Sequence, residues 1–317
     1  MDLTPVDADN ATIGGVAGGQ QAGGVSVGLR GHASIWTGTA ASWVDLHPAG
    51  ARSSAAHGTD GARQAGEIRP GIGPELHAGL WSGTASSFVD LNPAGASSSI
   101  AYGIEGGQQA GYAVVTTEIA HDHASLWTGT AASWVDLNPA GAYDSRALDV
   151  QGGRQVGWAF TGVGNHASLW SSTAASWVDL HPVEALSGSS FATSVFGELQ
   201  AGYAYFPGIT KAGIWSGTAA SWESLNGYLP AEYTSTQAND IWSDGASIYV
   251  VGEAYNSAQG RIEAVMWQRP VPEPASLLVL EAGLAALAAR RKRHGNNQRP
   301  RSVRRPTGLG TMLSKKW

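Results

Sequence analysis

Histidine and aspartate recur at fixed intervals along this 317-residue chain, and both could do chemistry. His32, His77, His123 and His166 each open a box of the form His-Ala-x-Leu/Ile-Trp, and Asp45, Asp90, Asp136 and Asp179 each begin an Asp-Leu box that follows. In a ring of such units the imidazoles could converge on a metal ion, and the carboxylates on calcium. The symmetry breaks, however, because Lys211 and Glu263 hold the histidine position in units five and six and Ser224 holds the aspartate position in unit five. A simpler reading has each histidine bonding to the neighbouring turn. Each aspartate then caps backbone amides ahead of its Leu-x-Pro turn.

Tryptophan carries a second possibility. Trp36, Trp81, Trp127, Trp170, Trp215 and Trp267 close the histidine-type boxes, and Trp43, Trp134, Trp177 and Trp222 follow them. Such rings could form a sugar-stacking surface, but one large aromatic per strand is also how a repeat fills the wedge between its units. No nucleophile elbow, Walker-type loop or His-Glu-x-x-His motif occurs, so no catalytic residue, metal or cofactor is implied. With no cysteine, disulfides and thiolate chemistry are absent as well.

The elements that position these residues follow from their spacing. The box tryptophans are separated by 45, 46, 43, 45 and 52 residues, and each unit also carries a Gln-Ala-Gly-like box and an Asp-Leu-like box. Each unit reads as roughly four short strands broken by Gly, Pro and Asn turns. A period near 45 with four strands predicts an all-β fold, a β-propeller of six blades over residues 1–269; a β-solenoid is the alternative. Met1-Asp2-Leu3-Thr4-Pro5 lacks the basic and apolar regions of a secretory signal and matches the Asp-Leu-x-Pro of the repeat. The expectation is that this amino-terminal strand closes the last blade, in a monomer.

Charge divides the chain. Residues 290–317 hold 10 of the 19 Lys and Arg and no acid, so residues 1–289 carry 9 basic and 25 acidic groups, a net of −16. Such a body repels phosphate, and nucleic acid is not an expected partner.

After the last repeat come Pro272-Glu273-Pro274, a mainly apolar run from Leu277 to Ala289, and Arg290-Arg291-Lys292-Arg293. In this order the three parts resemble the PEP-CTERM sorting signal of Gram-negative bacteria. The resemblance covers about 22 residues. It implies an exosortase-type processing enzyme as partner, a short membrane helix within residues 270–293, and export to the inner membrane and then the cell surface or extracellular space. Residues 294–317 would be a disordered basic tail. Rigid Pro-Glu-Pro suits recognition, and a basic cluster stays cytoplasmic under the positive-inside rule. The His-Ala-x-Leu-Trp and Gly-Gly-x-Gln-x-Gly boxes also resemble HAF-type extracellular repeats, to which no reaction is attached. The implied function is a non-enzymatic interaction or structural role in the envelope or matrix. The alternative is a lectin or propeller enzyme acting on extracellular polysaccharide.

Overall fold

The computed structural model describes residues 2–6, 8–116, 118–185 and 188–271. Contacts divide it into two units, one of Met1–Trp242 with Val250–Trp267 and one of Ser243–Tyr249 with residues 268–271. The second is a turn built on Asp244, whose carboxylate accepts from the amides of Ala246 and Ser247 and from the Tyr249 hydroxyl.

Six antiparallel sheets follow one another along the chain. The first holds β1 (Asn10–Ala17), β2 (Gln20–Val27), β3 (Arg30–Trp36) and β4 (Val44–Asp45), and the second β5 (Ser53–Thr59), β6 (Gln64–Arg69), β7 (His77–Trp81) and β8 (Val89–Asp90). The third is β9 (Ala96–Glu105), β10 (Gln108–Thr116), β11 (Ala120–Trp127) and β12 (Val135–Asp136), and the fourth β13 (Ser145–Gln151), β14 (Arg154–Phe160), β15 (Asn165–Trp170) and β16 (Val178–Asp179). The fifth is β17 (Ser190–Phe196), β18 (Leu199–Phe206), β19 (Ile209–Trp215) and β20 (Glu223–Ser224). The sixth has only β21 (Tyr233–Ser243), β22 (Ser247–Asn256) and β23 (Arg261–Pro270). Each sheet is a blade, and the expected all-β propeller of six blades is the fold.

Local chemistry explains the hairpins. Gly-Gly pairs such as Gly106–Gly107 and Gly152–Gly153 adopt positive φ and join the first two strands by tight turns. After the box tryptophan of each of the first five blades the chain turns through a short 3₁₀ segment, for example Ala131–Ser133, and the outermost strand is only two residues long. The Gln of the Gln-Ala-Gly box holds that turn: Oε1 of Gln109, Gln155 and Gln200 accepts the amide of Gly129, Ser172 and Gly217 at 2.8 Å.

The blades are joined by one repeated device. The amides of Ala33, Ala78, Ala124, Ala167 and Ala212 each donate to a hydroxyl on the first strand of the next blade, those of Ser54, Ser99, Ser145, Ser190 and Thr236, at 2.8–2.9 Å. The residue after each Asp-Leu completes the link, since His47, Asn92, Asn138, His181 and Asn226 bond to the same hydroxyls. Burial pushes the His47 pKa down, which keeps the imidazole neutral and able to do what an asparagine does at Asn92 and Asn138. Around this link pack the apolar clusters, such as Ala33, Ile35 and Leu46 of one blade against Ala56, Ile68 and Trp81 of the next.

The sixth junction differs, and the closing strand expected from the sequence does not form. Residues 2–6 are not a strand and the sixth sheet has three strands. Register places Ala11 at the hydroxyl position of the first blade, paired with Val25 as Ser145 is with Ala159, so the bridging oxygen is missing there. The faces that would meet are exposed: Met266 is 57% accessible where Leu126 is buried, and Val16 67% where Val150 is buried.

The Ser145→Ala substitution should therefore lower stability by about 1–3 kcal/mol in denaturant unfolding, because it leaves the buried Ala124 amide and the half-buried Asn138 carbonyl without that partner.

Candidate functional site

The repeated histidines and aspartates bind each other. Nδ1 of His32, His77, His123 and His166 lies 2.8 Å from Oδ2 of Asp45, Asp90, Asp136 and Asp179. The second carboxylate oxygen accepts the amide two residues on, at His47, Asn92, Asn138 and His181, also at 2.8 Å. The capping expectation therefore holds. Convergence on the axis does not occur, because these pairs lie on the third and fourth strands of the first four blades. Among the described residues no three His, Asp or Glu side chains are grouped to hold a metal ion.

Trp36, Trp81, Trp127, Trp170, Trp215 and Trp267 are buried in the core and have no face open for a sugar. Nε1 of Trp43, Trp134 and Trp177 donates to Ser34, Ser125 and Ser168. Where glycine replaces that serine, at Gly79 and Gly213, the outer ring moves inward instead, bringing Phe88 to 5.3 Å from Trp81 and Trp222 to 4.6 Å from Trp215. The sorting-signal residues Pro272, Glu273, Pro274, Arg290, Arg291, Lys292 and Arg293 lie outside the described residues.

What does converge is the set of first strands, which line a central cavity of about 790 Å³. The first strands of blades one to five each pair with their neighbour through a bulge, as between Ala147 and Asp149 or Ala192 and Ser194. Bulges re-aim side chains, and here they set Asp149, Ser194 and Asp240 around one half of the cavity and Gly15, Gly58 and Gly103 around the other. A side chain at Gly58 or Gly103 would meet the Tyr102 carbonyl or the Asp149 backbone of the next blade. Ser194 Oγ lies 2.9 Å from Asp149 Oδ2 and 2.7 Å from Asp240 Oδ1. One hydroxyl proton serves only one of the two carboxylates at a time. Burial pushes Asp149 up, against the bonds it accepts from Val195 and Ser194.

From the cavity mouth a line of rings, bridged at one point by an arginine, crosses four blades. His57 lies 5.4 Å from Tyr102, and Tyr102 lies 6.0 Å from Tyr112. The Arg146 guanidinium sits 4.3 Å over the Tyr112 ring and 5.7 Å from Trp158. Trp158 then meets Phe191 at 6.2 Å, and Phe191 meets Tyr203 at 5.1 Å. The polar groups between them are paired: His57 with Glu67, and Arg146 with Asp122, whose Oδ2 accepts from Nε at 2.8 Å. Tyr102, Trp158, Phe191 and Tyr203 are half-buried and Tyr205 is exposed.

The histidine and tryptophan boxes gave no hint of this line. Its signal is the residue after each Gln-x-Gly box, Gly24, Glu67, Tyr112, Trp158 and Tyr203, with Glu253 after the related Val250-Val251-Gly252, which varies from blade to blade while its neighbours repeat.

The chain resembles the β-propeller domain of the Trilobed protease from Pyrococcus furiosus, described as having an open velcro topology, at TM-score 0.55 and 11% identity over 82% of this chain and 81% of that one. It also resembles the Pyrococcus horikoshii acylaminoacyl peptidase at TM-score 0.52 and 11% identity over 87% of this chain, which spans 46% of that one. Such distant likeness shows the fold alone. No protein-family model and no curated protein matches the chain.

Burial and the neighbouring Tyr112 hold the Tyr102 phenol up at about 12. The unfolded chain loses that proton near pH 10 while the folded protein keeps it, so the contribution is intact below pH 10 and is lost as pH rises to about 12. Thermal melts from pH 9 to 12 should show Tyr102→Phe losing less stability than the parent, by on the order of 2 kcal/mol.

Proposed function

We propose that the chain is an exported, non-enzymatic binding propeller of the bacterial envelope or extracellular matrix, delivered by its PEP-CTERM-like tail. The observation that carries this reading is one of order. The last strand of the repeat ends at Pro270, and Pro272-Glu273-Pro274, the apolar run and Arg290-Arg291-Lys292-Arg293 follow at once. A folded body placed directly before the tripartite signal is the arrangement an exosortase-type enzyme needs to reach its recognition segment, with the membrane beyond it.

What supports binding over catalysis is how the titratable groups are used. The four repeated His–Asp pairs are spent on each other and on backbone amides. Asp149 is enclosed by the Val195 amide and the Ser194 hydroxyl. A general base needs reach to a substrate proton, and these groups are committed within the fold.

Expressed behind a secretory leader in a Gram-negative host that carries an exosortase-type enzyme, the full chain should lose mass from its carboxy-terminal end and leave the inner-membrane fraction. The triple substitution Pro272→Ala, Glu273→Ala, Pro274→Ala should keep it full-length and membrane-held. Identical masses and fractions for the two chains would contradict the sorting reading.

A further inference from the structure

We propose that the aromatic line across blades two to five is a binding site for an uncharged polysaccharide chain; this deepens the binding role above by naming its ligand class. Three observations point there.

The first is variation against repetition. Positions that serve the scaffold are the same in nearly every blade: the box tryptophan, the glutamine behind it, the alanine that donates across the junction. Glu67, Tyr112, Trp158 and Tyr203 share one equivalent position and differ in chemistry, while the first blade has Gly24 there. Packing that repeats with the fold has no use for such differences, whereas a ligand lying along the blades meets each of them separately.

The second is geometry. Register pairs Arg146 directly with Trp158 and Phe191 directly with Tyr203, so these side chains stand on one face of adjacent strands. His57 and Tyr102 are aimed by bulges, lying between residues whose register shifts. Rings touch between blades two and three and between blades four and five, and the Arg146 guanidinium bridges the buried Tyr112 to Trp158; Tyr102, Trp158, Phe191 and Tyr203 are only half-buried, so the run crosses four blades and suits several linked sugar rings. Tyrosine and tryptophan offer apolar faces to the dry side of a sugar and polar edges to its hydroxyls. Between them Glu67, Asp122 and Arg146 supply acceptors and donors whose orientation is fixed by their own pairing.

The third is charge. Arg146 with Asp122, and His57 with Glu67, pair locally, and the surrounding body carries a net of −16 over residues 1–289. That field repels uronate- or sulfate-bearing chains and favours a neutral one. Side chains that anchor a protein partner are seated in well-packed, desolvated pockets. The half-buried rings form a shallow track instead.

The test is affinity electrophoresis of the purified full chain in gels containing dextran, mannan, galactomannan or a soluble β-glucan, with alginate and poly-L-proline as the charged and peptide arms. Retardation by at least one neutral polysaccharide is expected. Trp158→Ala and Tyr203→Ala should each weaken it about three- to ten-fold, the range of one aromatic contact. Trp158→Phe should keep most of it. Trp43→Phe, on the outer part of the first blade, should leave it unchanged, with near-ultraviolet circular dichroism confirming that each variant is folded. Retardation by no neutral polysaccharide, by alginate or poly-L-proline alone, or equally for parent, Trp158→Ala and Tyr203→Ala, would overturn the assignment. Because the purified chain is used, these outcomes are independent of whether the tail sorts.

Discussion

A hydroxyl on the first strand of blades two to six accepts the amide of an alanine on the third strand of the blade before it, and most of the architecture depends on that bond. Sheets laid face to face bury apolar surface without much direction, but the hydroxyl fixes the register between blades to within a hydrogen bond. The same oxygen is held from the other side by His47, Asn92, Asn138, His181 or Asn226, so the Asp-Leu turn of one blade is tied to the start of the next. Five junctions are made this way. At the sixth, Ala11 offers a methyl group where the others offer oxygen, and the apolar faces on either side are exposed.

The repeat therefore divides labour by position. Glutamine holds the turn after the tryptophan, aspartate caps the turn after the outer strand and orients histidine, and tryptophan fills the wedge. None of these residues is left over for chemistry. The positions left over are the bulges facing the cavity and the residue after each Gln-x-Gly box. There the blades cease to resemble one another: carboxyl and hydroxyl groups gather on one side of the axis, and rings line up across the middle blades.

Much of the fold was legible because period and turn chemistry are local. Spacing of Trp36, Trp81, Trp127, Trp170 and Trp215 defined the blades, and Asp before Leu-x-Pro read correctly as a cap. The junction was not legible, since Ser54, Ser145 and Thr236 lie between the conspicuous boxes and their role depends on an amide in the preceding blade. The closing strand failed for a related reason: Asp2-Leu3 matches the repeat string, but a strand also needs a partner edge, and Ala11 removes the link that would bring the first and last blades together. The ring line is not legible in the repeat pattern, because a repeat displays what is constant, whereas Tyr112, Trp158 and Tyr203 differ from blade to blade.

Residue-resolved hydrogen exchange on the full chain tests the central claim, that the hydroxyl link makes a blade junction and its absence leaves one open. The amides of Ala78, Ala124, Ala167 and Ala212 donate to such links, and Ala264 occupies the same place in the sixth blade but is exposed. The four linked amides should exchange only through global unfolding, and Ala264 orders of magnitude faster through local opening. Equal protection of Ala264 would contradict the account, because the sixth junction would then be closed without the hydroxyl.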